Sequence, residues 1–268
     1  MLKTPLSGGV FYLYNDLMTH IVAIGGGEIG RPGYPVETTE IDKQIISLSR
    51  KKKPKVLFLP TASNDSLTYF KSFSKHYGEH LGCEVSVLNL MSKPSQTSIE
   101  KAILDVDIIY VGGGNTLKMM TRWRRMGVDR LLLKAYKNGT VLSGLSAGAV
   151  CWFKSGLSDS RSFTSNGEAW NYISVRGLGL KDILLCPHYD TEPKRQPALK
   201  RSLSGSRTVA ITLDDCAALE INDDKFRVLS SKRGSKACKA YWKDGHYFVV
   251  VVEPSRHYEP LSNLAIRS

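Results

Sequence analysis

Thr140-Val-Leu-Ser-Gly-Leu-Ser-Ala-Gly-Ala-Val-Cys-Trp152 is the stretch from which the rest of the chain can be read. An apolar run leads into Gly144-Leu145-Ser146-Ala147-Gly148, a match to G-x-S-x-G. That pattern demands a sharp, strained turn from strand to helix, which lifts one hydroxyl above a sheet while small neighbours let the chain pack closely. Residues 147–153 are expected to open the helix, with the first backbone N–H groups available to a developing oxyanion. Ser146 is therefore the candidate nucleophile. Ser143 lies before the turn and reads as a supporting hydroxyl.

Working outward, short β-rich apolar runs recur at 21–24, 55–59, 84–88, 107–111, 140–142 and 183–186. Between them, 39–50, 66–81, 116–126 and 128–137 carry apolar residues at helical spacing, as with Ile41, Ile45 and Leu48. Alternation of this kind predicts an α/β fold with a doubly wound, mainly parallel sheet and ligands beyond the carboxyl ends of its strands. After residue 207 the texture changes to strand-like segments at 208–212, 216–221, 226–229, 239–242 and 247–252, separated by turn residues. Antiparallel hairpins completing one edge are expected there. No repeat or linker divides the 268 residues, which are read as one domain with an extension over about 1–19 and a β-rich part over about 208–268.

Two glycine clusters follow strands. Gly112-Gly113-Gly114-Asn115-Thr116 suits an anion: Gly113 or Gly114 is a second oxyanion donor beside Ala147, Asn115 is counted with them as substrate-binding, and Asn115 or Thr116 can also cap the next helix. Gly25-Gly-Gly27-Glu-Ile-Gly30 fits a dinucleotide loop, but Arg31-Pro-Gly-Tyr-Pro35 places two prolines where the phosphate-binding helix would begin. A nicotinamide cofactor is discounted, and the segment is read as a loop bordering the pocket.

The formal charge of +12 raises nucleic acid, but the basic clusters lack interleaved aromatics, so neither nucleic acid nor membrane is expected as a partner. Five scattered cysteines without a CxxC pair read as buried free thiols. The first 20 residues lack a signal-peptide pattern, making the cytoplasm the default location.

Of six histidines, His188 alone follows an apolar strand at the expected active edge, and it is the candidate base. His76 and His80 sit four apart on an expected helix and read as a solvated face rather than metal ligands. Val111-Gly-Gly-Gly-Asn-Thr116, Gly144-Leu-Ser-Ala-Gly-Ala149 and Cys186-Pro-His-Tyr-Asp190, in that order, resemble the peptidase E (S51) family, from about residue 20 to at least 219. The resemblance implies a flavodoxin-like, glutamine amidotransferase-like fold with serine in place of cysteine. It implies peptide hydrolysis by Ser146, His188 and an acid. The family commonly has glutamate at that third place, whereas Leu213-Asp-Asp-Cys-Ala-Ala-Leu219 stands there in this chain, pointing to Asp215 with Asp214, Asp190 and Asp159 as alternatives.

The resemblance further implies a small peptide substrate, with N-terminal aspartate as one candidate, and no metal or organic cofactor. A cation for the substrate carboxylate would come from Arg161, Arg176, Arg195 or Arg201. A homodimer is compatible with all of this. An amidase or esterase on the same residues, and an idle binding protein, are the competing functions.

Overall fold

A computed structural model describes residues 18–161 and 172–265. In its first half, β1 (His20–Ile24), α1 (Thr39–Leu48), β2 (Lys55–Leu59), α2 (Leu67–Phe73), β3 (Glu84–Val87), α3 (Gln96–Leu104), β4 (Ile108–Val111), α4 (Thr116–Met126), α5 (Val128–Lys137) and β5 (Val141–Leu145) alternate. Then come α6 (Ala147–Val150), β6 (Phe153–Ser158), β7 (Ile173–Arg176), β8 (Lys181–Cys186), α7 (Arg195–Ser202) and β9 (Ala210–Leu213). The chain closes with β10 (Ala217–Asn222), β11 (Lys225–Ser230), β12 (Ala237–Lys243), β13 (His246–Val252) and β14 (Glu259–Pro260).

The expected alternation produces an eight-stranded sheet in the order β14-β11-β10-β1-β5-β4-β2-β3, in which β1, β5, β4, β2 and β3 run parallel. β1, β5 and β4 are buried along their whole length, as central parallel strands covered on both faces must be. Helix boundaries follow local chemistry. Ser95 accepts the Ser98 N–H at 3.2 Å to start α3, and Gly127, with φ of 69°, ends α4 in the left-handed conformation that lacks a Cβ penalty.

In the register of the central strands, Ile24 lies opposite Leu145 and Val111 opposite Gly144. The turns after β1, β5 and β4 therefore stand side by side.

The C-terminal part departs from the expected single edge. The β10–β11 hairpin does extend the main sheet beside β1, but β9 and the β12–β13 hairpin belong to a second, six-stranded sheet ordered β13-β12-β9-β8-β6-β7. The helix expected over 147–153 stops at Val150 because the chain re-enters a strand at Phe153 and buries Trp152 and Phe153 against the core. One apolar cluster joins the sheets, containing Ile21 and Leu142 of the first with Leu185 and Ile211 of the second. In the second sheet β8 and β9 are parallel neighbours with Cys186 opposite Thr212, so the segments after both strands emerge together.

His76 corrects another expectation. It is 3% exposed, and its Nε2 lies 2.9 Å from Oδ2 of fully buried Asp42, which also accepts from the Thr38 hydroxyl at 2.8 Å and, through Oδ1, from Tyr77 at 2.7 Å. The reason is helical pitch: residues 74–80 form a π-turn continuing α2, which places residues of that turn differently from the regular 3.6-residue spacing assumed from sequence. All five cysteines are buried and free. No helix among the described residues is long and apolar enough to cross a membrane.

Candidate active site

The turn after β5 has the strain that its sequence demands. Ser146 has φ 56° and ψ −109°, outside the regions open to most side-chain-bearing residues. Its flanking glycines explain the motif: a Cβ on Gly144 would lie 2.5 Å from the Gly148 carbonyl oxygen, and one on Gly148 would lie 2.0 Å from that of Val111. Only with both side chains absent can α6 descend onto the end of β4 and leave the serine at the summit. Ser143 is fully buried and donates to the Val22 carbonyl at 2.9 Å, the supporting place expected of it. Cys151 is buried too, and burial pushes its thiol well above the ordinary range.

His188 follows β8 and is itself left-handed, with φ of 52°. Its Nε2 lies 2.8 Å from Ser146 Oγ and its Nδ1 lies 2.7 Å from Asp215 Oδ1. Asp215 occupies the corner where the chain leaves β9 of the second sheet for β10 of the first. Its backbone N–H donates to Asp190 Oδ1 at 2.8 Å, and its Oδ2 accepts from the Thr191 hydroxyl at 3.1 Å. Burial alone would raise the Asp215 carboxyl, but the hydrogen bond and charge of His188, the Thr191 hydroxyl and the Arg195 charge outweigh it, and the group titrates below its ordinary value.

The alternative acids point elsewhere. Asp214 accepts the Lys236 N–H at 3.2 Å and Asp190 holds the Asp215 backbone, while burial, opposed by Arg195, raises the Asp159 carboxyl.

Gly26, in the segment that resembled a dinucleotide loop, has a different task. A Cβ there would lie 1.8 Å from Asp215 Oδ1 and 2.4 Å from His188 Nδ1. No helix begins until Thr39, so the segment borders the site as expected. The Gly26→Ala variant is expected to lose about 10²-fold in kcat/KM, because an ångström of displacement between catalytic groups costs that much. Measuring kcat/KM beside the thermal midpoint checks this; unchanged activity would mean that the histidine and aspartate pair tolerates separation.

On the other side of Ser146 lies the loop after β4. A Cβ on Gly113 would be 3.5 Å from Ser146 Cβ, so this residue faces the nucleophile. The Gly113 N–H donates to the Tyr69 hydroxyl at 3.2 Å, whereas the Gly114 and Ala147 amides have no acceptor among the described residues. Asn115 does not take the substrate-facing place expected of it. It is 6% exposed, with Oδ1 capping α4 through the Lys118 N–H at 2.9 Å and Nδ2 donating to the Ser160 carbonyl at 2.9 Å.

This arrangement has known relatives. The family model for peptidase family S51 matches residues 21–229. The chain belongs to peptidase family S51. It is therefore a peptidase, a hydrolase, and its alignment with curated proteins agrees: it is 39% identical over 224 residues to the uncharacterized peptidase YgaJ of Bacillus subtilis, covering 82% of this chain and 91% of the relative. It is 26% identical to a peptidase E of Shewanella denitrificans, over 79% of this chain and 88% of that one.

Solved structures share the fold. A peptidase from an acI-B1 Actinobacterium superposes with a TM-score of 0.67 at 19% identity, covering 91% of this chain and 98% of the other. A putative peptidase E protein of Listeria monocytogenes gives 0.61 at 23% identity, over 80% and 98%. The glutamine amidotransferase-like α/β architecture expected from the sequence is thus the architecture of this S51 chain.

Among the four arginines considered for a substrate carboxylate, Arg161, Arg176 and Arg201 are exposed. Arg195 is 2% exposed at the start of α7. Its Nε and Nη2 donate to Glu192 Oε2 at 2.9 and 2.7 Å, Nη1 donates to the Leu157 carbonyl at 3.0 Å, and the guanidinium lies 4.9 Å from the centre of the Tyr172 ring.

Proposed function

We propose that this S51 peptidase is a serine peptidase acting on short peptides through Ser146, His188 and Asp215. The observation that carries the reading is the unbroken line from Asp215 to His188 to Ser146, at 2.7 and 2.8 Å, ending on the strained turn. His188 Nε2 takes the proton of Ser146 as the hydroxyl oxygen attacks the scissile carbonyl, and Asp215 holds the opposite ring nitrogen and stabilises the imidazolium. The amides of Ala147 and of Gly114, next to Gly113, receive the negative charge on the carbonyl oxygen. His188 then protonates the leaving amine, and water hydrolyses the acyl-enzyme by the same steps reversed.

Arg195 is the cation that best fits an acidic first residue. Its guanidinium is held in place by Glu192 and the Leu157 carbonyl, with the Cys186 thiol as a further neighbour. A buried guanidinium already oriented loses little entropy when it binds a carboxylate. Peptides of the form Asp-X are therefore expected to exceed Asn-X in kcat/KM by about 10²-fold, since removing the charge leaves the buried donors poorly matched. Steady-state rates on an Asp-X, Glu-X, Asn-X and Ala-X panel test this. Equal rates on Asp-X and Asn-X would overturn the assignment of Arg195, and failure to cleave any peptide would overturn the peptide substrate.

A further inference from the structure

The Tyr69 hydroxyl, bonded to the Gly113 that faces Ser146, is a polar group for which the mechanism above has no use. It lies in α2, which follows β2, and its ring is packed edge-on against Phe58 at 5.1 Å between centroids and against the backbone of Gly112. One lone pair of the hydroxyl oxygen accepts the Gly113 N–H at 3.2 Å. Its own proton has no acceptor among the described residues. A half-buried O–H without a partner carries a desolvation cost that a ligand can relieve.

The order of the strands says which ligand atom. β5 bears Ser146, and its neighbours in the sheet are β1 and β4. On the β1 side Gly26 packs against the His188 and Asp215 pair, while on the β4 side Gly113 faces Ser146. A carbonyl attacked by Ser146 Oγ develops its negative charge away from the base that receives the proton, which is the β4 side. Tyr69 stands there, anchored to Gly113.

We infer that Tyr69 is a further catalytic residue, whose phenolic proton hydrogen-bonds the oxyanion alongside the backbone amides of Gly114 and Ala147. This rests on the serine-peptidase reading above and adds a side-chain donor to it. Two features suit the task. The Gly113 N–H polarises the hydroxyl by donating into its oxygen, which makes the phenol a stronger donor. Burial pushes the phenol up to about 12, so it keeps its proton throughout the neutral range.

The test uses the full chain and the variant Tyr69→Phe, which keeps the ring and its packing. The expected result is a loss of about 10²-fold in kcat with little change in KM, the usual effect of deleting one oxyanion donor. A peptide aldehyde, which forms a tetrahedral adduct with serine, should lose affinity by a similar factor, with the thermal midpoint lowered by no more than the loss of the Gly113 hydrogen bond. Replacing Tyr69 by difluorotyrosine, which retains the oxygen for Gly113 but ionises at lower pH, should move the alkaline fall in activity to lower pH; a purely structural tyrosine would not. Activity of Tyr69→Phe within twofold of the parent, or higher, would overturn the inference and leave Tyr69 as a support for Gly113. If the parent protein itself neither cleaves peptides nor reacts at Ser146 with a fluorophosphonate, the serine-peptidase reading has failed instead, and the two failures are distinguished.

Discussion

Ser146→Ala will lower kcat by about 10⁶-fold and leave the protein folded. The alanine keeps the same Cβ, so the backbone strain at φ 56° is neither relieved nor increased. What disappears is the oxygen 2.8 Å from His188 Nε2. The His188 side chain retains 21% of its exposure, so water can replace that partner and the stability change should stay within about 1 kcal/mol. No other nucleophile in the turn can substitute. Ser143 is fully buried and bonded to Val22, and the Cys151 thiol is buried with its proton held. Fluorophosphonate labelling should mark Ser146 in the parent and nothing in the variant, and pre-steady-state kinetics on an ester should lose its burst. Cleavage persisting within tenfold of the parent would rule out Ser146 as the nucleophile.

Asp215→Asn is expected to cost about 10⁴-fold in kcat/KM near neutral pH. The carboxylate accepts from His188 Nδ1 at 2.7 Å and thereby directs the lone pair of Nε2 at Ser146. An amide is uncharged, and with its NH₂ turned toward Nδ1 it selects the opposite tautomer. The exchange is nearly isosteric, and the Thr191 and Asp190 contacts remain to hold the loop. Because the folded carboxyl titrates below its unfolded value, the native state binds fewer protons than the unfolded chain in the carboxylate range. The stabilisation from the pair is thus complete above the ordinary aspartate value of about 4 and is lost as the pH falls below it. Thermal midpoints of the parent and Asp215→Asn should therefore converge on acidification through that range. A variant with activity near that of the parent would transfer the third place to another carboxylate, and a constant gap in midpoint would contradict the depressed carboxyl.

The elements legible without coordinates share a property: their chemistry is compressed into neighbouring residues. The turn at Ser146 was visible because a strained turn needs its small residues within two positions of its apex, and the glycines after β4 because a tight approach must follow a strand directly. His188 was visible through the strand preceding it. The parallel centre followed from apolar runs at regular intervals, which report burial on both faces.

What the sequence determined by itself, then, was the α/β class, the parallel order of alternation, the sharp turn that carries Ser146 and a histidine at the end of a strand, because each depends on local geometry or periodic burial. The tertiary structure decided everything that depends on distant segments meeting. It divided the C-terminal strands between two sheets, since pairing partners are chosen by core packing rather than by turn residues alone. It placed Asp215 rather than Asp214 against His188, because one residue of difference at the corner between sheets reverses the side chain's direction. It buried His76 against Asp42 through a π-turn, and buried Arg195 against Glu192 and the Leu157 carbonyl while the other three arginines are exposed. It also showed why Gly26 is a glycine: a cofactor-like pattern in one strand's turn is the space that a histidine and an aspartate from the other sheet require.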